Sequence, residues 1–456
     1  MSKSIARLHF PALPFRRTSA NARAETATLP PPQLFHRITK HPLLMPYNRL
    51  AILGMLVNLF FYLRLSRQGV VLTEAASFGA VSNLVLGNFA VAILIRQQLV
   101  VNALFAWAMS VPVNWPLSVR WAAGKIYHFG GIHVGCFFSG TVWFAILARQ
   151  LSHRFVLDHG GPERIALGTL LMAYVHLLVL AAMILMALPK IRARYHNAFE
   201  RTARFGGWIS LAFFWAQLAI FSDGQLRFSP QYWLLLLVTF SVALPWFFLR
   251  KVPVALEIPS SHVAIARFDY GITPFAGSST DISRNPLLEW HSFANVPAPG
   301  INGFRLTISR AGDWTGALIN DKPSHVWVKG IPTAGVGNIE TVFKRVIWVA
   351  TGSGIGPCLP HLFTQKVPSR LVWSTRSPKK TYGPELVDHI NAVQPGAVIW
   401  DTDQNGKPDL VQLAYEAYVK FDAEAVICIS NKKVTWNLVY QLESRGIPAF
   451  GAIWDS

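Results

Sequence analysis

Between residues 48 and 250 the chain strings together six apolar runs, near 48–65, 77–96, 123–147, 165–188, 206–222 and 230–249. Each comes close to the about 20 residues that an α-helix needs to cross the hydrocarbon core of a bilayer. An ordinary water-soluble domain does not carry so many. The runs predict a membrane α-helical bundle of about six spans in contact with membrane lipid. The composition agrees, since 52% of the 456 residues are hydrophobic and only 14% are charged. A further run, 99–113, is interrupted by Asn102, Pro112 and Asn114 and reads as interfacial.

Six spans place both ends of the bundle on one side. The basic residues agree with that topology: Lys3, Arg7, Arg16, Arg17, Arg23, Arg37 and Lys40 stand in the tail 1–47 against one acid, Glu25, and Lys190, Arg192, Arg194, Arg201 and Arg204 cluster on a loop of the same side. That side is expected to be cytosolic. The tail reads as disordered, with some of the character of a mitochondrial leader; prolines between Leu8 and Phe15 break any secretory signal core. The formal charge of +19 invites a nucleic-acid reading, but no arginine-rich helix or stacking module carries it. Topology and attraction for an anionic cofactor account for the charge, and no nucleic-acid partner is expected. Cys136, Cys358 and Cys428 lie too far apart to form a zinc site or a disulfide framework.

After Arg250 and Lys251 the pattern changes. Residues 252–340 hold short alternating segments such as HVAIARF, FRLTISR and HVWVKG, which predict the strands of a small antiparallel β-barrel. Residues 344–456 alternate strand, turn and helix, with VIWVAT, SRLVWST, AVIW and AEAVICIS as strands of a parallel α/β domain. Within it, VIWVATGSGIGPC (346–358) puts Gly352, Gly354 and Gly356 between a buried strand and a helix. Glycines there let the phosphates of a dinucleotide approach the backbone N–H groups of the helix start. Taken alone, such a string is also found in ordinary turns.

Upstream, Glu289-Trp290-His291-Ser292-Phe293 falls in a strand pattern, so His291 and Phe293 share one face and Trp290 takes the other. That is either a barrel core residue beside a surface histidine or a platform for a flavin ring. The order of the motifs EWHSF, RAGDWT (310–315), HVWVKGIP (325–332), ATGSGIGP (350–357), STR (374–376) and VICIS (426–430) resembles the ferredoxin-reductase-like half of the ferric reductase and NADPH oxidase superfamily. With HPLLMPYNRL and GIPAFGAIWDS at the two ends, the pattern from residue 41 is most similar to the fungal TmpA-type integral membrane flavoproteins.

The resemblance implies FAD and NADPH as cofactors. It assigns His291 and Phe293 to the flavin motif, with Ser292 and Ala294 departing from it. Asp313, Trp314 and Thr315 fall in the GDWT element, and Gly330 and Pro332 in the loop that borders the flavin phosphates. Gly352, Gly354 and Pro357 match the nucleotide phosphate turn; Ser374 and Arg376 suit a 2′-phosphate, with Lys379 and Lys380 as further charge. Cys428 corresponds to the catalytic cysteine beside the nicotinamide, and Trp454 to the terminal aromatic over the flavin.

Relatives that export electrons hold two haems between histidines of facing spans. Here His128, His133 and His176 lie in spans three and four, but Ala203, Ala216 and Gln217 occupy the matching places of span five. His133 and His176 remain as ligands of a single haem, and no other metal is expected. The leading expectation is a membrane flavoprotein oxidoreductase passing electrons from NADPH through FAD to an acceptor such as a hydrophobic metabolite or oxygen. A haem-using transmembrane metalloreductase or superoxide-producing oxidase is the second reading, and a nucleotide-binding membrane sensor without turnover the third.

Overall fold

A computed structural model describes residues 27–67, 77–157, 165–221, 227, 229–297 and 302–451. Its first part is helical: α1 (Leu34–Thr39), α2 (Pro46–Arg67), α3 (Ser77–Leu94), α4 (Gln98–Met109), α5 (Leu117–Ala123), α6 (Gly130–Leu157), α7 (Leu167–Ala187), α8 (Pro189–Arg194), α9 (His196–Phe221) and α10 (Pro230–Phe247). Among the described residues five helices are long and apolar enough to cross a membrane: α2, α6 with the 3₁₀ turn Ile126–Phe129 before it, α7, α9 and α10. A sixth span requires α3 and α4 together, and these are bent by 69°. Small residues set the closest packing in the bundle. A Cβ on Gly131 would stand 2.0 Å from the Tyr47 carbonyl oxygen, and one on Gly135 2.4 Å from that of Ala51, so α2 lies directly on the backbone of α6.

The run 99–113, expected to be interfacial, holds most of α4. After a break at Arg96, the Gln97 side chain caps α4 by accepting from Leu99 N and Val100 N at 2.6 and 3.1 Å. The helix then packs its Val101 and Phe105 into the core of the C-terminal half. Its polar residues belong to that contact.

The antiparallel part comprises β1 (Arg250–Pro253), β2 (Ala255–Ser260), β3 (Val263–Phe268), β4 (Ser278–Ser283), β5 (His291–Ala294), β6 (Val296–Pro297), β7 (Phe304–Ser309), α11 (Asp313–Asp321) and β8 (His325–Ala334). The predicted strands are there, but the predicted closed barrel is not. They form two four-stranded sheets, β1-β8-β4-β5 and β2-β3-β7-β6, around a shared core that includes Ala264, Ile282, Leu306 and Val328. The chain changes sheets within single residues. Between β5 and β6 the buried Asn295 makes the corner, its N–H bonding Ser278 O and its Nδ2 bonding Ser278 Oγ, both at 2.9 Å.

The last part holds β9 (Val346–Thr351), α12 (Ile355–Thr364), β10 (Ser369–Thr375), α13 (Pro378–Tyr382), α14 (Pro384–Val393), β11 (Val398–Asp401), α15 (Thr402–Asn405), α16 (Leu410–Lys420), β12 (Ala425–Ile429), α17 (Lys432–Glu443) and β13 (Ala449–Gly451). The sheet is parallel throughout, in the order β11-β10-β9-β12-β13. Val346 to Ala350 are fully buried, which explains why β9 reads as an unbroken apolar run. This domain is tied to the bundle by Arg120, whose guanidinium meets both oxygens of Glu424 at 2.6 and 3.0 Å. Lys125 adds a bond to Glu443 at 2.7 Å.

Candidate functional site

From the end of β9 the chain turns through Gly352, whose φ of +49° favours glycine, into α12. Gly354 is required by contact instead, because a Cβ there would stand 2.0 Å from the Ile429 carbonyl oxygen. Gly354 is also the N-cap of α12, and no side chain bonds the first N–H groups of that helix. Ile355 N–H already bonds Gly352 O and Pro357 carries no N–H, so what the turn offers an anion is chiefly the positive end of the helix. Pro357 sits half-buried in the first turn, where its missing N–H has no intrahelical partner to lose. Trp373 Nε1 donates to Gly352 O at 3.0 Å, and the hydroxyls of Thr351 and Ser430 bond each other across the strand ends. The turn thus lies at the C-terminal edge of the sheet where strand order reverses, the place at which open α/β sheets take their ligands.

Ser374 and Thr375 end β10 and are buried. Arg376 beyond them is 83% exposed in its side chain, with Nε 3.9 Å from Asp403 Oδ1. Ser377, at φ +34°, gives its N–H to Asp401 Oδ1 at 3.0 Å and its hydroxyl to Asp403 Oδ2 at 2.9 Å. Two carboxylates therefore share the turn with the expected phosphate-binding arginine. Lys379 is paired with Asp388 at 2.9 Å, and Lys380 is exposed. Cys428 lies fully buried in β12, on the sheet face covered by α16 and α17 and opposite to α12. Burial pushes its thiol up to about 12, with Thr435 opposing, so it is uncharged at neutral pH.

On the antiparallel side the expected alternation of faces is present. The His291 ring stacks on Trp314 at 4.1 Å and 29°, and Phe293 lies along the same indole at 6.2 Å and 25°. Trp314, in the first turn of α11, is oriented by its Nε1 donating to Glu289 Oε1 at 2.6 Å. Thr315 closes the turn, its hydroxyl accepting from Ala311 N and Gly312 N at 2.9 and 3.1 Å, and Asp313 is exposed. Trp290, on the other face, carries the Lys329 ammonium 4.2 Å from its ring centroid, and Trp246 of α10 flanks the same ammonium at 5.1 Å. Lys329 lies opposite Asp281 in the sheet, and Asp281 opposite Ser292.

Burial lowers Lys329 to about 8, with Asp281 opposing and Arg204 adding, and it raises the Asp281 carboxyl. Burial also lowers His291 to about 4, with His196 and Arg204 of α9 adding. At neutral pH the imidazole is therefore neutral, able to donate from one nitrogen and accept at the other. Asp281, Lys329 and Trp246 escaped the sequence reading. For Lys329 the signal was a lone charge inside an otherwise apolar strand, HVWVKG.

Gly330 and Pro332 stand in another setting than expected. Gly330 has φ +79°, and a Cβ on it would lie 2.6 Å from the Gln98 amide. Ile331 N donates to Gln98 Oε1 at 3.0 Å, Asn102 Nδ2 donates to Pro332 O at 3.0 Å, and Ala334 N donates to Asn102 Oδ1 at 2.8 Å. The loop is the socket of α4. The Ile331 and Ala334 amides are already bonded there and are not free for flavin phosphates.

His133 Nδ1 pairs with the Ala92 carbonyl at 2.8 Å. His176 is fully buried between the rings of Phe144, Phe214 and Phe213 at 4.6, 4.7 and 5.1 Å, and neither of its nitrogens has a partner. Three phenyl rings thus surround the His176 imidazole. Trp454 lies outside the described residues.

α12, which begins at the glycine turn, packs against β5, β6 and β7. A Cβ on its Gly356 would come within 3.4 Å of Thr307 in β7. The aromatic platform and the uncapped helix start are thereby held on adjoining elements, an arrangement able to bring a stacked planar ring beside a phosphate-anchored ligand.

Residues 336–456 match the family model described as the C-terminal domain of adenylate-forming reductase 03009. Two relatives from Coprinopsis cinerea, named adenylate-forming reductases 03009 and 06235, are 40% and 39% identical to this chain over 430 residues. The match covers 92% of this chain and 41% of each relative, so the chain spans less than half the length of these curated relatives. Their names are not those of the ferric reductase or TmpA-type proteins that the motifs resemble. Among solved structures, a ferredoxin NADP+ reductase from Neisseria gonorrhoeae with bound FAD and NADP is 13% identical, with a TM-score of 0.36 over 45% of this chain and 98% of that one. That likeness is too loose to carry an argument.

Proposed function

We propose that this chain is a membrane-spanning flavoprotein oxidoreductase that takes reducing equivalents from NADPH by way of FAD and delivers them to a small acceptor, a hydrophobic metabolite or oxygen. The observation that carries this reading is the packing of α12 on the sheet that bears the His291–Trp314–Phe293 stack. FAD, when bound, supplies hydride acceptance and electron release. The protein supplies position and electrostatics. His291, Phe293 and Trp314 would hold the flavin ring, and the neutral His291 would hydrogen-bond it without adding charge. Gly352, Gly354 and the start of α12 would take the nucleotide phosphates, and Arg376 the 2′-phosphate. Cys428, buried and protonated, would act through packing.

The five long apolar helices and the bent α3–α4 pair support a multi-pass membrane protein. The basic residues favour a cytosolic site for the reductase domains. We also propose that the reductase element in the names of the Coprinopsis cinerea relatives resides in the segment shared with this chain, since that segment holds the glycine turn.

The test is flavin content. Detergent-purified chain should release FAD on denaturation, and His291→Ala with Trp314→Ala should abolish it while the melting midpoint stays within a few degrees. A chain that folds and never retains FAD, even when supplied with it, would remove this reading.

A further inference from the structure

The bundle and the parallel domain meet along a seam whose charges are not balanced. Lys125 is engaged by Glu443 and by Ala449 O, both at 2.7 Å. The same Glu443 oxygen accepts from Trp121 Nε1 at 2.8 Å. Among the described residues Glu443 is the one acid lining a cleft between the segment Thr39–Arg49, the 3₁₀ turn at Ile126–Phe129 and α17, and its Oε1 is already taken up. What remains in the cleft is a set of donors. Lys40, half-buried, lies 4.0 Å from the Trp121 ring centroid, and among the described residues its Nζ has neither an ion pair nor a hydrogen-bond acceptor. Burial lowers its pKa, Glu443 opposing and Lys125 and Arg49 adding. Arg49 donates to the Thr39 carbonyl, and Trp436 Nε1 is buried without a partner. His128, only 5% exposed, completes the wall.

Two cations and an orphaned indole N–H around one small space call for an anion with several acceptor oxygens. The cleft holds about 60 Å³ and opens to solvent, which is room for a tetrahedral group and some water. We propose that this cleft binds a phosphate monoester, with Lys40 and Arg49 as its charge partners and Trp436 as a donor. The site is separate from the glycine turn and independent of the oxidoreductase reading. Because Arg49 stands one turn into α2, a helix long and apolar enough to span a bilayer, a lipid headgroup can supply the phosphate as readily as a soluble ester can.

The full chain in nanodiscs of phosphatidylcholine, with or without about one-fifth phosphatidylinositol 4-phosphate, separates these sources by its melting midpoint; inorganic phosphate is titrated into the neutral discs in parallel. A rise of about 3 °C with the phosphoinositide alone assigns a lipid headgroup, and a rise with inorganic phosphate assigns a soluble ester. Lys40→Gln with Arg49→Gln should remove the rise and Lys40→Arg should keep it. Lys190→Gln with Arg194→Gln, in exposed α8 outside the cleft, should also keep it. No rise with either probe overturns the proposal, as does a rise that the α8 pair removes and the cleft pair does not.

Discussion

Gly354 and Ile429 stand so close that no side chain fits between them: a Cβ on Gly354 would meet the Ile429 carbonyl oxygen at 2.0 Å. One contact joins the glycine turn to β12 and keeps the start of α12 open. Gly354→Ala should therefore displace the turn and weaken NADPH binding by tenfold or more, from strain of about 1–3 kcal/mol. Titration of the purified chain with NADPH checks this, and unchanged affinity would show that the turn does not touch the nucleotide.

Trp314 depends on Glu289 for its orientation, by a 2.6 Å bond. Trp314→Ala should lower flavin retention about tenfold, the loss of one stacking partner. Glu289→Gln leaves an acceptor for the indole N–H and should retain most of the flavin, whereas Glu289→Leu should not. Bound flavin per protein in the three variants gives the comparison.

Arg376 shares its turn with Asp403 at 3.9 Å. Arg376→Ala should raise KM for NADPH about tenfold and leave that for NADH nearly unchanged, since only NADPH carries the 2′-phosphate. Asp403→Asn should act in the opposite direction, lowering KM for NADPH relative to NADH by relieving repulsion. Equal effects on both nucleotides would remove Arg376 from the site.

Lys329 is lowered by burial from 10.5 to about 8, whereas the unfolded chain keeps its proton to about the ordinary value. Between these pH values the unfolded state binds more protons, so the Lys329 contribution to stability rises with pH across that window. Denaturant midpoints measured from pH 7 to pH 10 should show this rise in the native chain and a flatter profile in Lys329→Met.

The sequence shows the architecture well because each part has its own period. Unbroken apolar runs mark the bundle, alternation marks the antiparallel strands, and the fully buried β9 reads as a continuous apolar strand. His291 and Phe293 were legible as partners since a strand alternates its faces. Contacts between parts were not legible. Nothing around the run 99–113 says that Gln98 and Asn102 bond residues 331–334 across more than two hundred positions, so Asn102 looked like an interruption. The division of the strands into two sheets was likewise hidden, because it depends on the single-residue corner at Asn295 and not on the strands themselves. Asp401 and Asp403 come beside Arg376 only through the parallel pairing of β10 with β11.

The central claim is tested most directly by the absorption spectrum of the detergent-solubilised chain, taken under anaerobic conditions before and after NADPH. An oxidised-flavin spectrum that NADPH bleaches, with no haem band, is the predicted result. Flavin that stays oxidised in excess NADPH, or a chain that carries no flavin at all, would contradict it.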